Sequence, residues 1–183
     1  MMLSWKKVQA SFNIKIPFKK YFQNIGMPFD SILKKLKIKN NKNLIFNEYR
    51  KESIKNFDKL KLYPDVKKTL DRLKKHYKLA IVTSKDKDRT LKILNRFNIS
   101  FDCVICPQKN IRGKPYPDQI IKVLKYYNKK KNNSVYIGDM PVDYKAASRA
   151  GLRFIYAKYG YGEKQIFYKD YINKFCDIEK ILI

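Results

Sequence analysis

The chain has 183 residues and is 44% apolar, enough to bury a core and too apolar for a disordered chain. Its formal net charge is +26, from 42 basic and 16 acidic residues. Seven of the basic residues are arginines, and the lysines run along the whole chain instead of gathering in one stretch. Phosphate and base recognition leans on arginine and on clustering. The excess therefore reads as compositional bias, and a basic nucleic-acid-binding module is the weaker reading. No apolar run approaches the ~18 residues of a membrane span, and the first residues do not look like a signal peptide. The expectation is no membrane and no specific nucleic acid as partner.

Residues 1–61 read as helical and residues 62–183 as alternating strand and helix. In the first part a Trp5–Val8–Phe12 stripe marks one helix, and Pro17–Ile25, Pro28–Leu36 and Leu44–Phe57 mark three more. After Leu62, Pro64-Asp65 opens a helix with Val66, Leu70, Leu73 and Tyr77 on one face. Leu79–Val82 is a short apolar strand, followed by Thr83-Ser84. Asp88–Phe97 is a helix expected to turn Leu91, Leu94 and Phe97 inward. Cys103–Cys106 is a second strand. Its CxxC lacks a second ligand pair, so the two thiols read as buried strand residues, and the unpaired cysteines suit a reducing cytoplasm. Pro117–Tyr127 is a helix, Ser134–Ile137 a strand, Asp143–Ala150 a helix ended by Gly151, and Arg153–Ala157 a strand. Residues 163–183 read as a terminal helix and tail. Continuous apolar strands alternating with helices predict an α/β fold with a doubly wound parallel sheet.

In such sheets ligands sit beyond the carboxyl ends of the strands. Thr83-Ser84 stands at one such end and Gly138-Asp139-Met140-Pro141-Val142-Asp143 at another, with Gly113-Lys114-Pro115 between them in sequence. Hydroxyls can hold phosphoryl oxygens, a lysine supplies positive charge, and two carboxylates suit a hard cation such as Mg²⁺. Asp143 reads equally well as the N-terminal cap of its helix. Gly160-Tyr161-Gly162 is too short for a dinucleotide fingerprint and is assigned no chemistry.

The segment Leu79–Lys85, the Gly113-Lys114-Pro115 and Pro117-Asp118 pair, and Val135–Asp143 followed by Ala146-Ala147 and Ala150-Gly151 resemble the second, third and fourth motifs of the haloacid dehalogenase superfamily. The helical first part, with Ile25–Phe29, resembles the cap of its phosphoglycolate phosphatase and β-phosphoglucomutase branch. The resemblance implies a Rossmann-like core with an N-terminal helical cap. It implies Thr83 and Ser84 at the substrate phosphate, Lys114 stabilising the phosphate and the nucleophile, and Asp139 and Asp143 at a Mg²⁺ site, Asp143 supporting either the metal or Lys114. The reaction implied is hydrolysis of a small phosphorylated metabolite through an aspartyl-phosphate.

The family's first motif, a strand followed by Asp-x-Asp, has no counterpart here: the first aspartate of the chain is Asp30, among the cap-like helices. The expectation is a truncated chain that lacks the nucleophile and the central strand of the sheet, and that is inactive by itself. A non-catalytic phosphate- or metal-binding remnant is the alternative.

Overall fold

The structure, a computed structural model, describes residues 1–162 and 168–182. Four helices come first: α1 (Met2–Phe12), α2 (Phe18–Phe22), α3 (Phe29–Lys35) and α4 (Lys42–Lys55). They close around their own core. Trp5, Val8, Tyr21, Ile32, Leu33, Ile45 and Tyr49 are buried together, and every residue of this cluster lies before Arg50. Trp5 anchors it. Its ring stacks on Tyr21 at 4.3 Å, and its indole N–H donates to the Ile16 carbonyl at 3.1 Å, so the polar edge is satisfied inside. The helix expected over Pro17–Ile25 stops at Phe22. Asn24 and Ile25 instead donate to Tyr21 and Phe22 across three residues, which tightens the chain toward Gly26 at φ +96°.

The second part comprises α5 (Val66–Leu73), β1 (Ala80–Val82), α6 (Lys87–Arg96), β2 (Cys103–Ile105), α7 (Asp118–Tyr126), β3 (Val135–Gly138), α8 (Pro141–Ala150), β4 (Arg153–Ala157), β5 (Tyr171–Ile172) and α9 (Glu179–Leu182). Strands β1 and β2 pair in parallel, as do β3 with β4 and β4 with β5. Three expectations fail here. The segment read as a terminal helix and tail gives, in its described residues, strand β5, a 3₁₀ turn and the one-turn α9. Residues 163–167 and 183 lie outside the described residues. Tyr77 lies beyond the end of α5 and is exposed, its hydroxyl donating to the Leu182 carbonyl. On α6 Leu94 and Phe97 are half-buried, but Leu91 is 40% exposed, and Arg89 and Thr90 are buried instead. The cap explains this, because Phe46 and Tyr49 of α4 lie over the Arg89 guanidinium.

The strands form two ladders. Among the described strands β1 pairs only with β2, and β3 only with β4. Val82 nevertheless packs against the same cluster as Tyr136, and Leu79 against the same cluster as Val135 and Ile137, so both ladders share one interior. The residues of β1 and β3 are half-buried, while Phe154–Ala157 of β4 are buried. Cys103 and Cys106 are buried free thiols, and burial pushes both above the ordinary cysteine range.

Among the described residues no helix is long and apolar enough to cross a membrane.

Candidate functional site

Gly138 ends β3, and the next five residues turn into α8. The turn folds Asp143 back over the strand end: a Cβ on Gly138 would meet the Asp143 Cβ at 2.5 Å, so only glycine allows this approach. Asp143 is 4% exposed and its carboxylate has a full set of partners. Lys114 Nζ lies 2.6 Å from Oδ1, the Tyr136 hydroxyl donates to the same oxygen at 3.3 Å, and the Met140 N–H donates to Oδ2 at 3.0 Å. The last bond caps α8, so the cap reading and the lysine-partner reading of Asp143 hold together. Lys114 is 7% exposed. Burial alone would lower its pKa, but the Tyr136 oxygen and the Asp143 charge outweigh it and hold the ammonium above the ordinary lysine value. Burial and the Asp143 charge raise the Tyr136 phenol.

Asp139, the other carboxylate of the turn, is half-buried. Its Oδ2 accepts the Tyr161 N–H at 2.7 Å. Gly160 and Gly162 on either side leave no room for a Cβ against Asp139, which is why this loop needs glycine twice. The loop to which the sequence assigned no chemistry therefore positions a site carboxylate. Burial raises the Asp139 carboxyl above the usual range, opposed by the Tyr161 N–H and reinforced by Asp143.

At the end of β1, Thr83 N–H donates to Ile105, extending the ladder, and its Oγ1 accepts the Lys85 N–H at 3.1 Å. The Ser84 hydroxyl donates to the Gly26 carbonyl of the cap at 2.6 Å. Gly26 in turn sits against Met140 and Val142, the residues flanking Asp139 and Asp143. Lys114 and Asp143 thus touch directly. Thr83 and Ser84 connect to the same turn through the cap loop.

A hard cation seeks several oxygens. Asp139 fits, because among the described residues its Oδ1 meets no hydrogen-bond donor. Asp143 is already engaged by Lys114, Tyr136 and Met140. Among the described residues no group of three or more His, Cys, Asp or Glu comes together. Tyr136 and the Tyr161 N–H were not legible in the sequence. Tyr136 reads there as one more apolar strand residue, and a backbone donor leaves no mark at all.

The model of the haloacid dehalogenase-like hydrolase family matches residues 2–157. A phosphoglycolate phosphatase of Aquifex aeolicus is 34% identical over 104 residues, covering 55% of this chain and 49% of that enzyme. Pyrophosphatase PpaX of Halalkalibacterium halodurans is 29% identical over 155 residues, covering 82% of this chain and 69% of that one. The match thus spans about half the length of the first relative. A hydrolase of Pseudomonas syringae superimposes with a TM-score of 0.85 at 18% identity, over 98% of this chain and 88% of that one, which shows a shared fold.

Proposed function

Since the chain belongs to the haloacid dehalogenase-like hydrolase family, we propose that it carries the cap and most of the active-site rim of a Mg²⁺-dependent phosphatase acting on a small phosphate monoester. The observation that carries this reading is the buried Lys114–Asp143 pair, 2.6 Å long, beside Asp139 at the carboxyl end of β3. A buried ion pair is weak evidence for stability alone, and its retention at a strand end suits a site that must hold charge in place. Relatives named for hydrolysing phosphoglycolate and pyrophosphate support phosphoryl-group hydrolysis, the former on a phosphate monoester.

In this reading the Thr83 hydroxyl donates to a phosphoryl oxygen while its oxygen keeps the Lys85 N–H. Lys114 is fixed by Asp143 and Tyr136, so its remaining N–H bonds meet the phosphate without a reorganisation cost. Asp139 is the ligand available to Mg²⁺, with Tyr161 N–H setting the carboxylate's orientation. Asp143 acts through Lys114. The metal would supply charge neutralisation at the phosphoryl oxygens. Ser84 holds the cap loop down. The nucleophilic carboxylate is not among these 183 residues: Asp30, the first aspartate, is exposed on cap helix α3. We therefore propose that this chain alone hydrolyses no phosphate ester. p-Nitrophenyl phosphate with Mg²⁺ tests this. The expected rate is that of buffer; turnover that disappears in Asp139→Asn would mean that another nucleophile exists.

A further inference from the structure

The two groups that hold the phosphoryl group in this reading stand on different parts of the fold. Thr83 follows β1, and Lys114 lies in the loop before α7. Lys114 is fixed by Asp143. Thr83 is held on the side of β2, where its N–H reaches the Ile105 carbonyl at 3.0 Å, and its Oγ1 accepts the Lys85 N–H. Its carbonyl accepts from Nε2 of Gln119 at 3.5 Å. Gln119 is the second residue of α7, five positions after Lys114.

Packing alone gives no reason for a glutamine here. Gln119 is fully buried, and its neighbour Ile120 belongs to the apolar cluster with Ala146, Ala147 and Phe154. The bond it makes to Thr83 is long, and its Oε1 is buried with no hydrogen-bond partner among the described residues. An unpaired buried acceptor is destabilising, and an apolar side chain of the same length would avoid it. Local rules of this kind are broken chiefly where a site needs the residue. The loop between Lys114 and Gln119 is braced, so the link transmits position. Arg112 donates through Nε and Nη2 to the two oxygens of Asp118, at 2.9 Å each, which closes the loop on both sides of Lys114. Within it the Tyr116 N–H donates to the Gly113 carbonyl, and Arg149 of α8 donates to the Pro115 carbonyl.

We propose that Gln119 is a positioning residue of the phosphate site. It ties the Thr83 carbonyl to the first turn of α7 and so sets where the Thr83 hydroxyl stands relative to Lys114. It touches no substrate. This rests on the phosphatase reading and adds to it a residue that acts through Thr83.

Orthophosphate binding to the full chain at fixed free Mg²⁺, measured calorimetrically, and a thermal melt test this together. Gln119→Met keeps the length of the side chain and removes both polar atoms. It should bind orthophosphate about fivefold more weakly. It should also melt at or above the parent temperature, because the unpaired buried acceptor is gone. A merely structural glutamine would make affinity and stability fall together. Thr83→Val supplies the second arm. Adding Gln119→Met to Thr83→Val should weaken binding no further, since the hydroxyl that Gln119 positions is already absent. Unchanged affinity in Gln119→Met, a melt that falls along with affinity, or a full additional loss on top of Thr83→Val would overturn the role. A parent chain that binds no orthophosphate would instead defeat the phosphatase reading, and the role with it.

Discussion

Lys114 is buried and Lys85 half-buried, and their surroundings treat them in opposite ways. Lys114 meets Asp143 and Tyr136, and its pKa is held above the ordinary value despite burial. Among the described residues no carboxylate forms an ion pair with Lys85, and burial with the neighbouring Arg89 charge drives it down to about 8. The comparison teaches that burial does not decide a lysine's charge; the partner does. A completed pair is fixed equipment, present before any ligand arrives.

Breaking the completed pair should have the largest effect. Asp143→Asn leaves Lys114 buried without a counter-charge and turns one of the two carboxylate oxygens into an amide N–H₂, so we expect a loss of about 3–5 kcal/mol in denaturant unfolding. A variant as stable as the parent would mean that the pair is open to water. Completing the comparison from the other side, Lys85→Met should stabilise. The folded-state pKa lies below the unfolded value of 10.5, so the folded protein binds fewer protons between about pH 8 and 10.5. The penalty from Lys85 is full below pH 8 and fades as pH rises toward 10.5. The melting temperature of Lys85→Met should exceed the parent's by a few degrees at pH 7, and the gap should close above pH 10. A gap independent of pH would assign the gain to packing alone. The smallest effect belongs to the link between the two regions. Ser84→Ala removes the hydrogen bond to the Gly26 carbonyl and should cost about 1 kcal/mol. Hydrogen exchange should quicken in the residues around Gly26 and leave α8 unchanged. Exchange that quickens in α8 equally would show that the cap loop braces the Asp139–Asp143 turn.

Much of the site was legible because its motifs are short and local. Thr83, Lys114, Asp139 and Asp143 each stand at a strand end or loop that strand and helix periodicity locates. What was not legible depends on partners distant in sequence. Asp143 reads from sequence as a metal ligand as readily as an anchor, and only its contacts with Lys114, Tyr136 and Met140 show how fully it is engaged. On α6 periodicity places Leu91 inside, whereas aromatic rings of α4 bury Arg89 instead. Strand β5 was missed because two residues carry no period. The parallel strands were legible as apolar runs, but the division into two ladders depends on which strand stands beside which.

β1 and β3 each pair on one edge, and Thr83 and Asp139 follow their carboxyl ends. An added strand ending in a carboxylate is expected to pair with both and to arrive beside Lys114. The direct test fuses to Met1 an apolar strand followed by Asp-x-Asp-Gly, taken from a family member, and measures phosphatase turnover and melting temperature together. The account predicts that the fusion melts higher than the chain alone and gains Mg²⁺-dependent turnover, lost in Asp139→Asn and in Lys114→Met. A fusion that folds and melts higher yet hydrolyses nothing, or turnover indifferent to Asp139 and Lys114, would contradict it.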